Sequence, residues 1–149
     1  MDIYEYLIKD HRAVSALFEE IMHEEDPKKR DQIFGKLKDE LLLHAHSEQE
    51  TFYKALENKD GAKRDVKHAF KEHEEIEAAV HEVTSLSPWD ATWLPQVKEL
   101  QKIVDHHVKE EEGKIFDDAK KVFSEEKAQE LEEEMKKYKT LLKRREIPA

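Results

Sequence analysis

The chain has 149 residues, of which 26 are Lys or Arg and 36 are Asp or Glu, giving a formal net charge of −10. That length corresponds to one domain. Charged residues make up 42% of the sequence and hydrophobic residues 38%, with only 3 Gly and 4 Pro. Such a composition favours long amphipathic helices over an α/β core or a β-sandwich. Because there is no cysteine, disulfides, iron–sulfur ligation and thiolate zinc are excluded, and any metal must bind nitrogen and oxygen ligands.

The charge distribution and the absence of long apolar runs bear on the partners and the cellular location to expect. A net negative charge without a concentrated basic block argues against nucleic acid and anionic membrane surfaces as partners. No apolar run approaches the roughly 18 residues that a membrane span needs. The opening MDIYEYLIKDHR lacks the basic start and apolar stretch of a signal peptide. We therefore expect a soluble, cytoplasmic protein with no membrane contact.

Cap and breaker residues divide the chain into five predicted helices. Asp26 followed by Pro27 is typical of a helix start, Gly61 of a helix stop, and Ser87 to Asp90 of a second capped start. Ser124 is suited to cap a last segment. The predicted helices cover residues 2–24, 27–58, 62–86, 90–121 and 124–146. The alternative start of the fourth helix is Thr92, because Pro95 does least harm in the first turn of a helix.

Each predicted helix has an apolar stripe at helical spacing. Four helices of comparable length joined by short connections pack most simply as an antiparallel up-down-up-down four-helix bundle. The fold class is therefore all-α, with residues 1–122 as the bundle and residues 123–149 as an additional C-terminal helix packed on it. The stripe of that last helix consists of Ala128, Leu131, Met135, Tyr138 and Leu142.

The stripes of the first four helices are interrupted by histidines and glutamates at core positions. The residues at these positions are His11, His44, Glu48, His73, His107 and Glu111. His46 lies about 200° around the helix from His44, and His106 about 100° from His107, so these neighbours point elsewhere. A lone histidine on an apolar stripe is more often a core residue than a ligand. A buried carboxylate, however, costs several kcal/mol unless it is paired or metal-bound, and no Lys or Arg shares this phase. The six residues together predict a metal site.

The site positions follow an internal repeat. His11 and His44 are 33 residues apart, and His73 and His107 are 34 apart, so each half of the bundle supplies a lone histidine and then an HxxxE motif. Residues i and i+4 lie on one helix face, about 6 Å apart along the axis. Two antiparallel copies would therefore enclose two divalent ions. Four neutral imidazoles and two carboxylates offset only part of their charge, which favours an added oxo or hydroxo bridge and leaves positions for a further ligand.

Four segments in this order carry a family resemblance: DHRAVSALFEEI, HAHSEQETFY, EHEEIEAAV and HVKEEEGKIF. They resemble the hemerythrin-like HHE cation-binding domain over about residues 1–122. The resemblance implies a non-haem site with two iron ions and with Glu48 and Glu111 as bridging ligands. It implies the same six ligands as the stripes: His11, His44, Glu48, His73, His107 and Glu111. Zinc or manganese in the same ligands is the alternative, because such donor sets accept several divalent ions.

The sequence departs from this family at several positions. Oxygen-carrying hemerythrins have a second histidine one turn after the histidine of the third helix, where this chain has Glu77, so reversible oxygen carriage does not follow from the resemblance. Glu77 is either a third carboxylate ligand or, as the stronger interpretation, an outer or solvated residue. Lys54 and Asp117 stand where the family often has proline. Phe52 and Tyr53 are expected to serve mainly in core packing, with a site-lining role as the alternative.

These observations lead to two functional hypotheses of different classes. The first is a di-iron protein that binds or reacts with dioxygen, peroxide or nitric oxide, in oxygen or redox sensing, detoxification or iron handling. If such a protein is an enzyme, a peroxide-decomposing oxidoreductase is the expected type. The second hypothesis is a metal-stabilised bundle that binds a protein partner through its fifth helix. The sequence does not identify that partner.

Overall fold

The computed structural model describes residues 1–146, and this part of the chain is helical with no strand. The helices are α1, Ile3–His23; α2, residues 27–56; α3, Lys63–Thr84; α4, residues 93–122; and α5, Glu125–Glu146. The prediction of an all-α fold with five helices is confirmed. Within residues 1–146, no helix is both long and apolar enough to cross a bilayer.

Most helix boundaries follow the predicted cap residues. The Asp26 carboxylate accepts the Lys28 N–H at 3.0 Å at the start of α2, and the Ser124 hydroxyl accepts the Lys127 N–H at 3.0 Å at the start of α5. Each bond satisfies one of the backbone donors that the first turn of a helix leaves unpaired. Gly61 has φ of +85°, a left-handed conformation that residues with a side chain rarely adopt, in the loop before α3.

The start of α4 agrees with the alternative start at Thr92 and not with the start at residue 90. The predicted cap at Ser87 places the start at residue 90, but α4 begins at Trp93. The Asp90 carboxylate accepts the Thr92 N–H at 2.8 Å and so holds the preceding residues in a local turn. Pro95 then falls in the first turn of α4, where a missing N–H does least harm.

The helices pack as the sequence predicts, in a bundle with a fifth helix against it. α1 packs along α2, and α3 packs along α4. Short connections within each pair make the two helices antiparallel. α5 lies against α1 and against α2, including residues 49–53 of α2. The four-helix bundle with an additional C-terminal helix is therefore confirmed, whereas the division of the chain after residue 122 stays a prediction.

The apolar core consists of two clusters along the bundle. The first contains residues from all five helices, including Leu7, Phe52 and Leu131. The second contains residues from the first four helices, including Phe18, Leu37, Val80 and Leu100. The two clusters hold the bundle together on either side of a buried polar layer, because burying apolar surface is the main force that stabilises a folded chain.

Two π-helical segments interrupt α2 and α4, and the sequence did not predict them. They are Gln49–Tyr53 and Glu111–Ile115. Each lies directly at the glutamate of an HxxxE motif. A π turn is wider than an α turn and changes the direction of the side chains that follow. Phe52 and Tyr53, although adjacent, are both completely buried, and the corresponding pair Ile115–Phe116 is nearly so.

The burial of α5 gives a test of its structural role. Leu131 has no exposed surface and packs in the same cluster as Leu7 and Phe52, whereas Leu141 on the same helix is 45% exposed. We expect Leu131→Ala to lower the free energy of unfolding by about 2–5 kcal/mol, because it leaves a cavity. Leu141→Ala is the control, with an expected change within about 0.5 kcal/mol. Urea unfolding of the metal-free protein measures both. Equal effects would contradict the packing of α5 into the core.

Candidate metal centre

The structure brings all six predicted residues together in the polar layer between the two apolar clusters. Each is at most 7% exposed, and both glutamates are completely buried. Their nitrogen and oxygen atoms form two groups, and within each group the atoms lie within 4.8 Å of one another. His11 and His44 belong to one group, and His73 and His107 to the other. Glu48 and Glu111 belong to both groups.

Each glutamate spans the two groups through contacts with the inward-facing Nε2 atoms. The four distances are His44 Nε2 to Glu48 Oε1, 3.7 Å; His73 Nε2 to Glu48 Oε1, 3.1 Å; His11 Nε2 to Glu111 Oε1, 3.2 Å; and His107 Nε2 to Glu111 Oε2, 3.3 Å. Thus each carboxylate lies near one imidazole from each helical hairpin. This is the arrangement that a carboxylate bridging two ions requires.

Four polar side chains outside the cluster fix the imidazoles. Each histidine Nδ1 donates to one acceptor: His11 to Glu112 at 2.7 Å, His44 to Asp10 at 2.8 Å, His73 to Gln49 at 2.8 Å and His107 to Glu72 at 2.9 Å. A proton on Nδ1 leaves the lone pair of Nε2 directed into the cluster. Such outer contacts orient metal-binding histidines and increase their basicity.

These four acceptors were not among the predicted site residues, although the repeat carries a signal for them. Asp10 and Glu72 each precede the lone histidine of their half, and Gln49 and Glu112 each follow the glutamate of an HxxxE motif. A residue next to a candidate ligand along the chain points to a different side of the helix and so does not enter the cluster. In this bundle each of these four residues contacts the Nδ1 side of a histidine on a neighbouring helix. The repeat therefore contains the outer contacts as well as the ligands.

The donor atoms of the cluster fit divalent metal ions. His11 Nε2, His44 Nε2, both oxygens of Glu48 and Oε1 of Glu111 are buried with no hydrogen-bond partner. Buried polar atoms without partners are costly. His73 Nε2 and His107 Nε2 are 3.1 Å apart, so two more nitrogen atoms face each other. These imidazole lone pairs and carboxylate oxygens point into the same small space, where a positive ion could bind them and satisfy them electrostatically.

Without metal, the pKa values of the two buried carboxyls shift in opposite directions. Burial raises the pKa of Glu48 well above its usual value, and the nearby Glu111 carboxylate raises it further. Burial acts on Glu111 in the same direction, but its contacts with His107 and His11 outweigh burial and hold the pKa of Glu111 well below its usual value. Although burial lowers the pKa of His107, its bonds to Glu111 and Glu72 raise it to about 9. Metal binding must therefore displace protons from this cluster.

Tyr53 belongs to the site, although the sequence favoured a packing role for it. Its hydroxyl donates to Glu111 Oε2 and lies 3.4 Å from His107 Nε2. Its ring also packs against Phe70 and His73, so Tyr53 has a packing role in addition to its contact with Glu111. Burial raises the pKa of Tyr53 well above its usual value, so this hydroxyl keeps its proton.

Glu77 is not a third carboxylate of the cluster. Its side chain is exposed and lies in neither group of candidate ligands. The preceding residue, Ile76, is the buried one and packs in the second apolar cluster. The interpretation of Glu77 as a solvated residue fits this position. His46 and His106 are exposed, as their helix phases predict.

A small cavity adjoins the imidazoles. Its volume is about 20 Å³, enough for one molecule of the size of water. All four cluster histidines line it, and the remaining wall is apolar: Val14, Leu41, Ala45, Ile76, Val104 and Val108. The cavity therefore offers space for a small molecule beside the cluster and few polar partners for it.

Comparisons with known proteins agree with this geometry. The family model of the Hemerythrin HHE cation binding domain matches residues 2–119. The crystal structure of a Hemerythrin HHE cation binding domain-containing protein from Mycobacterium kansasii is similar, with a TM-score of 0.83 and 22% identity over 97% of this chain and 93% of that one. At that identity the likeness shows the fold. A curated relative from Nostoc sp., named DNA nickase, is 28% identical over 145 residues. The match covers 97% of this chain but only 41% of that relative.

The cluster assignment predicts different effects for two neighbouring residues of α2. Glu48→Ala should abolish binding of at least one ion, because Glu48 contacts both groups of donors. His46→Ala should leave the metal stoichiometry unchanged, because His46 is exposed. Equilibrium dialysis against Fe²⁺ under anaerobic conditions, followed by elemental analysis, measures both. Equal losses in the two variants would contradict the assigned phase of α2.

A second prediction concerns the metal-free protein. Folding raises the pKa of Glu48 above its value in the unfolded chain, about 4.5. The folded protein therefore loses stability as the pH rises from that value toward the pKa of Glu48 in the folded state. Glu48→Gln keeps the neutral form and avoids this loss. The variant should therefore be more stable than wild type, by a margin that widens from about pH 5 to pH 8.

Urea unfolding at several pH values measures this margin. Metal affinity should fall in the same variant, because an amide cannot replace a carboxylate bridge. A margin that stays constant or narrows with rising pH would contradict a protonated Glu48.

Proposed function

The chain belongs to the hemerythrin HHE cation-binding domain family, and we propose that it is a non-haem di-iron protein that binds or reacts with a small oxidant or diatomic ligand. Dioxygen, peroxide and nitric oxide are the candidate ligands. The cavity of about 20 Å³ beside the buried histidines carries this proposal, because its size and apolar wall suit a small molecule of this kind. The biological roles that fit are oxygen or redox sensing, detoxification and iron handling.

In this proposal each ion is held by two imidazoles and by both glutamates. His11 and His44 hold one ion, His73 and His107 the other, and Glu48 and Glu111 bridge them, in accord with the two overlapping donor groups. Bound iron would supply Lewis acidity and redox chemistry, with an oxo or hydroxo bridge balancing the remaining charge. The protein ligands leave open positions at which an external ligand could bind.

The surrounding residues would control charge and water at the site. Asp10, Gln49, Glu72 and Glu112 hold the four imidazoles with Nε2 inward. Tyr53 keeps a proton directed at Glu111 Oε2 and fixes the orientation of that carboxylate. The apolar clusters on both sides exclude bulk water, which strengthens the electrostatic contacts inside the site. If the protein turns over substrate, peroxide decomposition is the reaction class that we favour.

Two alternatives use the same structure. Zinc or manganese could occupy the same donors, because imidazole and carboxylate sets accept several divalent ions and availability often decides which one binds. A partner-binding bundle would use α5 as an interface, but Leu131 and Met135 of α5 are completely buried within this chain. Their apolar surface is therefore not available to a partner.

Nucleic acid is a separate alternative because of the name of the Nostoc relative. That relative is called a DNA nickase, and this chain matches two fifths of its length. The net charge of −10 opposes binding to a polyanion. The absence of a nucleic-acid partner stays a prediction.

A cavity-filling substitution tests the proposed ligand position. Val104→Ile adds one methylene at the cavity wall, so we expect at least about a tenfold weaker binding of nitric oxide or azide, while the iron content is unchanged. Val97→Ile is the matched control, because Val97 lies on the same helix, is completely buried and does not line the cavity. Both changes carry a similar overpacking cost.

Ligand binding to the iron-loaded variants is followed by absorbance titration under anaerobic conditions. Unchanged binding in Val104→Ile, or equal weakening in both variants, would contradict the cavity as the ligand position.

A further inference from the structure

A second cluster of histidines and glutamates lies outside the buried centre, on the adjacent faces of α3 and α4. Four distances define it: His68 Nε2 to Glu110 Oε2, 3.0 Å; His68 Nε2 to Glu72 Oε2, 3.4 Å; His106 Nε2 to Glu110 Oε1, 3.1 Å; and His106 Nε2 to Glu72 Oε2, 3.6 Å. We call these four residues the outer cluster. Each histidine therefore faces both carboxylates.

The spacing of the outer cluster suits a single divalent ion. Zinc–nitrogen and zinc–oxygen bonds of about 2.0–2.2 Å in a tetrahedron place neighbouring donors roughly 3.3–3.6 Å apart. Donor atoms of His68, Glu72 and Glu110 already lie within 4.8 Å of one another, whereas His106 is not in this group and has to turn toward it to become the fourth donor. The side chains of His68 and His106 are 55% and 66% exposed, so both have room to adjust and an ion has access from solvent.

The internal repeat provides independent support for a cation at this place. Asp10 and Glu72 occupy corresponding positions in the two halves, and each accepts the Nδ1 proton of a cluster histidine. In the first half, the Lys139 ammonium from α5 contacts Asp10 and neutralises it. Within residues 1–146, no Lys or Arg forms an ion pair with Glu72. Its outer oxygen instead faces His68 and His106.

We propose that the outer cluster binds one divalent transition-metal ion through His68, Glu72, His106 and Glu110. Two imidazoles and two carboxylates form a donor set that Zn²⁺ and Fe²⁺ accept. The ion takes the place that Lys139 holds in the other half of the bundle. The carboxylate before the lone histidine, Asp10 in one half and Glu72 in the other, is thereby compensated by a cation from outside in both halves.

The outer ion acts on the buried centre through Glu72. Glu72 Oε1 accepts from His107 Nδ1 at 2.9 Å, while Oε2 faces the outer cluster. A cation on Oε2 weakens the bond that Glu72 accepts and so reduces the basicity of His107. This second effect rests on the proposed di-iron function, whereas binding at the outer cluster does not.

The test compares Zn²⁺ binding by three full-length proteins: wild type, H68Q/H106Q and the control H46Q/H81Q. The control also removes two exposed histidines, so the total loss is matched. At free Zn²⁺ of about 1–10 μM, wild type and control should bind one ion per chain more than H68Q/H106Q, with an affinity for that ion at least about tenfold higher. Equilibrium dialysis with elemental analysis gives the stoichiometry, and circular dichroism verifies folding.

Equal Zn²⁺ stoichiometry in H68Q/H106Q and wild type would overturn the outer site. Because the readout is a difference of one ion, it stays interpretable even if the buried centre does not bind iron. For the effect on His107, Zn²⁺ is added to iron-loaded protein and the near-ultraviolet bands are followed. A shift in wild type that is absent from H68Q/H106Q supports the link through Glu72, and unshifted bands in wild type overturn it. Absence of any such band instead contradicts the di-iron proposal.

Discussion

The structure depends on keeping two carboxylates and four imidazoles in the middle of an apolar bundle. Glu48 and Glu111 have no exposed surface, and burying a charge without compensation costs several kcal/mol. Five nitrogen and oxygen atoms of the cluster are buried without a hydrogen-bond partner. Bound cations would provide the missing compensation, so the stability of the polar layer and its ability to bind metal would have the same physical origin. The apolar clusters on either side then supply the stability that the layer itself does not.

The two halves of the bundle solve the same geometric problem with one important difference. In each half a carboxylate before the lone histidine and a polar residue after the glutamate of the HxxxE motif fix the imidazoles. The carboxylate of the first half, Asp10, is neutralised by Lys139 of the fifth helix. The carboxylate of the second half, Glu72, instead faces two exposed histidines. The fifth helix thus contributes to the environment of one half of the centre and leaves the other half open to solvent ions.

Much of this could be read from the sequence, because helical periodicity sets which residues face inward. The stripes and the repeat together gave the bundle and brought all six cluster residues to one place. The two π segments could not be predicted, since the count of residues per turn assumes a regular α-helix, and these segments bury both Phe52 and Tyr53. The stronger interpretation of Glu77, an outer or solvated residue, agrees with its exposed side chain, and its neighbour Ile76 takes the inward position. Contacts between helices, such as Tyr53 with Glu111, depend on helix rotation and depth, which a single sequence does not specify.

A di-iron centre can be tested by the metal content of the purified protein together with its absorption spectrum before reduction, after reduction and after return to air. For a di-iron centre we expect about two irons per chain, as facing helices of a bundle can hold, and near-ultraviolet oxo-to-iron bands that disappear on reduction and respond to oxygen. Zinc as the only bound metal, or no bound iron after anaerobic reconstitution, would contradict a di-iron centre and favour a structural or partner-binding bundle.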